Sequence, residues 1–422
     1  MKQVLTSASL LALGAGSLFG VDPEMSRQQS GRLYSLSATV RGFYDDNINT
    51  SPNNNQESIG LQVSPSVHFN FPLDQTFISV GYTYSLYWYE NREPHDIDQF
   101  HEFNAKLRHQ FSPRHQIAVD DTFVITSEPT AVNSFGIITT PTRGVDARTR
   151  GSVLHNNGSI DDTFQLTSLW GLSFGYVNNW YDYEAEGVGS RSALLDRIEH
   201  LFRADARYQF NPKLVGIVGY SFGFTTFTGD DLIDVTGVSK LMSDDRNSFS
   251  HYGYVGVDYD VTAKLRASVR VGAQFTEYSE LDESTANPYA DASLSYTFVP
   301  GTSLEAGIRH ARSATDVVAV DSGGNPTTDS ETTALYAALH HRLMRNLTAS
   351  LLVQYQISSF EDGINDGETE KLFLAGVNFE YHFNRHFSAE LGYNYDELDS
   401  DINGTDRSYR RNRIYIGLKA TY

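Results

Sequence analysis

The sequence predicts an all-β fold: a single closed antiparallel transmembrane β-barrel of about 18 strands, with short turns at one end and long loops at the other. Three observations predict it. A hairpin pattern repeats from about Arg32 to Tyr422, apolar and polar residues alternate with period two within each long arm, and the composition is that of a strand former. Tyrosine and phenylalanine number 25 each and glycine 33 among 422 residues, against 4 methionines and no cysteine. Aromatic side chains fit a pleated sheet surface, and a helical chain of this length would draw more on methionine.

Short turns recur at Phe71-Pro72-Leu73-Asp74, Ser112-Pro113-Arg114, Thr167-Ser168, Asn211-Pro212-Lys213, Val261-Thr262-Ala263, Pro300-Gly301, Met344-Arg345-Asn346 and Asn384-Arg385-His386. Proline presets φ there, and glycine and asparagine tolerate the tight backbone. Longer polar loops alternate with them, for example at 50–57, 229–247, 316–331 and 362–370. Eight turns each join two strands; a further strand at each end, near Arg32 to Asp46 and Tyr409 to Tyr422, gives the count of about 18, and one hairpin merged or missed would make it 16 or 20. A spacing of roughly 40 residues per hairpin also suits a propeller blade. A blade, however, fits four short strands into that length, whereas each arm here is one strand of about 12–16 residues.

The alternation can be followed strand by strand, because successive side chains face opposite sides. Ile414, Ile416, Leu418, Ala420 and Tyr422 oppose Arg413, Tyr415, Gly417, Lys419 and Thr421. Phe103, Ala105, Leu107, His109 and Phe111 oppose Asn104, Lys106, Arg108 and Gln110. Leu265, Ala267, Val269, Val271, Ala273 and Phe275 oppose Lys264, Arg266, Ser268, Arg270, Gly272 and Gln274, and Phe387 to Tyr395 alternate in the same way with Ser388 to Asp396. Soluble sandwiches alternate too. Aromatics at the strand ends (Phe69, Phe71, Phe111, Phe210, Phe298, Phe383, Phe387) favour a membrane, because rings gather at headgroup depth. In each of these strands the basic residues fall on the less apolar parity, as they must if a lipid-facing arginine costs about 2–4 kcal/mol at mid-depth.

Charge and composition exclude several classes. Basic residues number 32 and acidic residues 52, so nucleic-acid binding through the phosphate backbone is not expected. Without cysteine there is no disulfide, thiolate metal site, cysteine nucleophile or lipidated cysteine. No segment reaches the ~20 apolar residues of a spanning helix. The one apolar run follows Lys2, from Val4 through Leu10, Leu11, Leu13 and Leu18 to Phe19, with Ala12 and Gly14 to Ser17 interleaved. It is expected to be a secretory signal over 1–20, cleaved after Ser17 or Gly20, followed by a short periplasmic segment over 21–31 and the barrel over 32–422.

The ending Tyr415-Ile416-Gly417-Leu418-Lys419-Ala420-Thr421-Tyr422 resembles the C-terminal β-signal of outer-membrane barrels, a polar residue and a glycine followed by alternating hydrophobics and a final aromatic. With the hairpin array and the export segment, the chain resembles the bacterial outer-membrane β-barrel porins, the β-barrel porin or "outer membrane beta-barrel protein" type. Tyr422 departs from the commoner terminal phenylalanine. The resemblance implies residence in the outer membrane of a Gram-negative cell, with lipid and lipopolysaccharide around the barrel. It also implies insertion by the barrel-assembly machinery through Gly417, Leu418, Ala420 and Tyr422, and a pore that is monomeric or a homo-oligomer such as a trimer.

An 18-strand barrel is wide enough for an aqueous channel. The expected function is therefore passive passage of small hydrophilic solutes, with no cofactor, metal or enzyme activity; the alternative is a non-conducting barrel that presents surface loops for adhesion, polysaccharide export or envelope assembly. The inner parity carries Arg41, Lys106, Arg108, Arg203, Arg207, Lys264, Arg266, Arg270, Arg309, Arg411, Arg413 and Lys419, against fewer acids such as Asp205, Asp258, Asp291, Glu305, Glu380 and Glu390. If the acidic surplus lies in the loops, the wall is net basic and favours anionic or saccharide solutes. The alternative is that these charges pair across strands. The loop at about 128–150, with Arg143, Arg148 and Arg150 beside Phe135, Ile137 and Ile138, is a candidate constriction, or else points outward. His340, His341, His382, His386 and the Ser64/His68 pair match no catalytic motif, and Asp230-Asp231, Asp244-Asp245 and Asp282-Glu283 lack calcium-loop spacing. Asp161-Asp162 puts one carboxylate on the lipid parity unless the register slips.

Overall fold

A computed structural model describes residues 33–92, 96–126, 152–228, 231–234, 240–281, 283–321, 325–402 and 406–422. The expected export signal over 1–20 and the segment over 21–31 lie outside the described residues.

The chain runs as consecutive hairpins. The first strands are β1 (Tyr34–Asp45), β2 (Ser58–Pro72), β3 (Thr76–Tyr89), β4 (Ile97–Ser112), β5 (His115–Thr126) and β6 (Val153–Gln165). There follow β7 (Trp170–Tyr183), the one-turn helix α1 (Arg191–Leu195), β8 (Arg197–Asn211) and β9 (Leu214–Phe227). A small loop hairpin, β10 (Leu232–Asp234) with β11 (Leu241–Met242), precedes β12 (Ser248–Thr262), β13 (Leu265–Tyr278), β14 (Glu283–Val299) and β15 (Thr302–Ser313). The last strands are β16 (Asp329–Met344), β17 (Leu347–Glu361), β18 (Thr369–His382), β19 (Phe387–Ser400) and β20 (Tyr409–Thr421). All except β10 and β11 form one 18-stranded sheet in which each strand pairs antiparallel with its sequence neighbour. It closes because β1 pairs with both β2 and β20, for instance Arg41 with Gly417 and Asp45 with Arg413. The strand count and all eight expected short turns agree with this architecture.

The tight turns share a local cause. In five of the eight the first polar side chain accepts the backbone N–H two or three residues on, in place of the ladder bond that the turn interrupts. Ser112 Oγ takes Arg114 N–H at 3.2 Å, Thr167 Oγ1 takes Leu169 and Trp170, Asn211 Oδ1 takes Lys213 at 2.9 Å, and Asn384 Oδ1 takes His386 and Phe387. At Pro300-Gly301 the work falls to Gly301, whose φ of +89° suits glycine.

Side chains sort cleanly onto two faces. Outward on β20 are Ile414, Ile416 and Leu418, and inward are Arg411, Arg413 and Tyr415; Ile416 is 66 % exposed to the surroundings and Arg411 2 %. The outer face is the one lipid covers, and the aromatics at the short-turn end, among them Phe71, Phe111, Phe210 and Phe387, stand exposed on it. One joint departs from regularity. The β14–β15 ladder stops at Ala290 and His310, although β14 continues up to Glu283 beside β13. Above that point the β15–β16 hairpin leans inward across its neighbours: Arg312 N–H donates to Gln274 Oε1 at 3.1 Å, the Arg312 guanidinium to Thr285 at 2.6 Å, and Asn287 to Glu331 at 3.1 Å. Pro288 lies in the stretch of β14 that is paired with β13 but not with β15.

Candidate functional site

The registers define the face turned to the enclosed space. Arg41, Lys106, Arg108, Arg203, Arg207, Arg266, Arg270, Arg309, Arg411, Arg413 and Lys419 all lie on it. Lys264 does not. It shares parity with Arg266 but belongs to the turn between β12 and β13, where parity has no meaning; its N–H is held by Thr262 Oγ1 and its ammonium reaches the Phe298 carbonyl at 2.8 Å. The inner face carries Asp205, Asp258, Asp291, Glu305, Glu380 and Glu390, and also Asp45, Asp98, Glu102, Asp120, Asp161, Glu199 and Asp396. The wall is therefore mixed in sign rather than basic, because the strands contribute acids that the sequence pattern did not single out.

Most of these charges are bonded to one another. Asp45 accepts from Arg411 at 2.6 Å and Arg413 at 3.0 Å, and is fully buried. Arg41 grips Glu390 through two nitrogens, donates to Gln62 at 3.2 Å and lies 5.1 Å over the Tyr415 ring. On the far side Arg207 and Arg270 converge on Asp258 at 2.7 and 2.9 Å, while Arg203 bonds Asp161 and stands 3.6 Å from Asp205. Arg108–Asp120 and Arg266–Asp260, nearer the short turns, are wetter, with Arg108 41 % and Arg266 44 % exposed. Arg309 sits opposite Asp291 and has no ion-pair partner among the described residues.

Several of these bonds skip a strand, and beneath four of them lies a glycine. Arg41 on β1 crosses Gly417 on β20 to Glu390 on β19; Arg203 on β8 crosses Gly175 on β7 to Asp161 on β6. Tyr254 on β12 crosses Gly219 on β9 to Asp205 at 2.6 Å, and Tyr415 crosses Gly392 on β19 to Asn378 at 3.1 Å. A Cβ at Gly417 would stand 2.7 Å from both Arg41 Cγ and Glu390 Oε1. Gly417 thus has a local packing role. Leu418 and Tyr422 face outward and exposed, and Tyr422 exchanges backbone bonds with Leu36 at 2.8 and 3.1 Å.

The remaining sequence candidates separate. Ser64 and His68 lie four positions apart on one strand, about 13 Å, and Ser64 bonds Ser85 at 2.8 Å. His340 meets Ser350 on the inner face, His341 meets Thr302 on the outer, and His386 lies in a turn against the Thr421 carbonyl. Asp245 caps Met242 N–H at 2.8 Å in a loop turn. No group of metal-ligating side chains forms among the described residues. The register of β6 is unbroken on both sides, so Asp161 points inward and Asp162 outward, where it accepts from His115 Nε2 at 2.8 Å.

Over the long-loop end three connections meet. Ala193 of α1, Ile233 of β10 and Leu241 of β11 form a buried cluster, with Val318 and Val320 of the β15–β16 loop packed against it. Arg246, just before β12, ties them: it donates to the Leu194 carbonyl at 2.5 Å and the Thr315 carbonyl at 3.1 Å and lies 4.1 Å over Phe227. Burial, with two carbonyls in place of a carboxylate, pushes its pKa down to about 9. From the same loop Asp316 accepts from Arg407 at 2.8 Å, before β20, and Arg407 stands 3.5 Å from Glu370. Burial works against the Arg407 charge, but these two carboxylates outweigh it and hold its pKa up. Because β9, β12, β13 and β14 separate β8 from β15 around the wall, these contacts cross the mouth rather than follow its rim. Arg143, Arg148 and Arg150, expected in a constriction, lie outside the described residues; the loop that does reach across was legible only as Val317, Val318 and Val320 in an otherwise polar stretch.

The family described as "Putative beta-barrel porin 2" matches residues 238–422, the half of the barrel that ends in the closing strand. The chain is a closed 18-strand β-barrel whose wall from β12 to β20 matches that porin family. Among solved structures this barrel is similar to the outer membrane protein OpdK from Pseudomonas aeruginosa, at 9 % identity and a TM-score of 0.45, covering 92 % of this chain and 99 % of that one. It is similar also to OccAB4 from Acinetobacter baumannii, at 11 % identity and 0.43, covering 93 % and 99 %. A third, the siderophore receptor PirA from Acinetobacter baumannii, stands at 11 % and 0.45, covering 92 % and 80 %. No curated protein matches the sequence.

Proposed function

We propose that this porin-type barrel passes small hydrophilic solutes passively, and that saccharide-like solutes suit it best. The observation that carries the reading is the closed 18-strand wall, apolar outside and lined inside by side chains of both signs. For a strand tilt near 40° and a spacing near 4.8 Å, 18 strands give a backbone radius of about 18 Å, the range in which barrels enclose water. Bonded arginine–carboxylate pairs offer alternating donors and acceptors with little net field, which fits hydroxyl-rich solutes; Arg309 and the half-exposed Arg108 supply what anion preference there is. Insertion through Gly417, Leu418, Ala420 and Tyr422 by the assembly machinery, and export by the segment at 1–20, belong to the same proposal.

Reconstitution tests it. Liposomes holding the purified barrel should swell with small sugars, and planar bilayers under a salt gradient should show weak ion selectivity. Strong cation preference would reject the anion component, and no swelling with any sugar would reject the channel. One observation favours a second reading: the packed loops over the mouth, pinned by Arg246 and Arg407, suit a barrel that presents a fixed outer surface. Absent conduction would leave that reading standing.

A further inference from the structure

Tyr415, Gly392 and Asn378 stand directly opposed in one row across three strands, as do Tyr254, Gly219 and Asp205, and in each row the ring crosses the glycine to bond the amide or carboxylate beyond it. Tyr336 on β16, Gly307 on β15 and Ser293 on β14 form the same kind of row. The tip of the Tyr336 ring lies over the glycine, where a Cβ would stand 2.6 Å from its Oη. Here no bond completes the crossing. Serine is shorter than asparagine or aspartate, and the hydroxyl is left without a partner on a residue only 7 % exposed.

Charged groups surround that hydroxyl. Along the inner face of β15, Glu305 and Arg309 stand two positions either side of Gly307, about 13 Å apart between Cα atoms, and Asp291 lies opposite Arg309 on β14. All three are half-buried, and none of their side chains has a hydrogen-bond or ion-pair partner among the described residues. Elsewhere on the wall such carboxylates are held by arginines, as Asp45, Asp258 and Glu390 are. The patch also lies immediately below the point, at His310, from which the β15–β16 hairpin leans into the enclosed space.

Two carboxylates and one guanidinium make the patch net negative, with donors and acceptors both to spare. A solute that satisfies it brings an ammonium for the carboxylates, neutral oxygens for the guanidinium, and hydroxyls that donate and accept. A neutral sugar lacks the cation, and a carboxylated solute would set its own charge beside Asp291. We propose that Asp291, Glu305 and Arg309, with the Tyr336 hydroxyl between them, form a binding site for an amino sugar in its protonated form. This rests on the reading that sugars enter the barrel, and it names the kind that the wall holds.

Saturation-transfer NMR on the full-length barrel in detergent micelles reads binding without conduction, and planar-bilayer current with liposome swelling reads passage. Glucosamine should bind saturably and reduce the current, while glucose, which lacks the nitrogen, and N-acetylglucosamine, whose nitrogen is neutral, should bind about tenfold or more weakly, as the loss of a charge-assisted bond implies. Asp291→Asn combined with Glu305→Gln should weaken glucosamine by a similar factor, and Arg309→Gln by several-fold. Asp260→Asn, outside the patch, should bind it as the wild type does. Equal binding of the three sugars, tighter binding of serine than of glucosamine, an equal effect of methylammonium, or an unchanged double variant would each overturn the proposal. Binding without current or swelling would reject the channel and uphold the site; swelling without glucosamine binding would do the reverse. Should the double variant fail to fold, Arg309→Gln and the ligand series on the wild type decide it.

Discussion

Glycines on the two faces of the wall sit in the same strands and do opposite work. Gly392, Gly219, Gly175 and Gly417 face inward, each under a ring or a guanidinium that crosses to the next strand but one. Gly42 and Gly253 face outward, and nothing lies within 4 Å of where a Cβ would stand. Inside, the missing side chain is a window through which second-neighbour strands are tied, so the wall is knitted beyond its backbone ladder. Outside, the same residue only leaves a smooth spot for lipid. The inner face must hold its shape against water, whereas hydrocarbon asks nothing specific of the outer one.

If inner contacts knit the wall, cutting the most buried of them should cost most. Asp45→Ala removes the buried carboxylate shared by Arg411, which has almost no access to water, and Arg413, which is 14 % exposed. Removing one partner of a buried pair costs about 3–5 kcal/mol, whereas Asp260→Ala, in the half-exposed pair with Arg266, should cost at most about 1 kcal/mol. Urea unfolding in lipid vesicles compares the two. Equal losses would show that burial does not rank these pairs.

The next effect is set by the windows. Gly392→Ala must displace the rigid Tyr415 ring, and Gly219→Ala the Tyr254 ring together with Asp205, so each should lose about 1–3 kcal/mol. At Gly175 the obstacle is the far end of Arg203, Nη2 at 2.8 Å, which can swing aside, and the loss should be smaller. Smaller still, and opposite in sign, Gly253→Ala should stabilise by about 0.4–1 kcal/mol through the unfolded chain. Destabilisation at Gly253 matching that at Gly392 would erase the contrast between the faces.

These glycines also mark where the sequence stops speaking. Turns and faces were legible because proline, asparagine and period-two alternation act locally, and all eight turns and the sides of Arg41, Arg203 and Arg413 follow from them. Lys264 did not, since alternation runs on in the sequence through a turn that breaks it in space. Partners were illegible for a different reason. Alternation gives a residue its face but not its height against a strand two places away, so nothing near Arg203 announces Asp161. An inner-parity glycine on the intervening strand is the signal that finds such pairs.

The smallest effect separates the wall from the cap above it. Many wall carboxylates have arginines, but among the described residues Asp196, between α1 and β8, is bonded by Ser192 Oγ–H and the Tyr183 N–H, the latter at 2.7 Å. Burial outweighs these two bonds and raises its pKa, with Asp182 and Asp231 adding to the rise. Between the ordinary carboxylate value and that raised one, the folded protein binds more protons than the unfolded chain, so this corner is most stable in acid and loses stability as pH rises through the window. Hydrogen exchange at Leu194 and Asp196 N–H, corrected for the intrinsic rate, should show greater protection at weakly acidic than at neutral pH, and Asp196→Asn should abolish the difference. Protection that instead falls on acidification would mean that the ionised carboxylate holds α1 in place and that the cap, like the wall, is built on charge.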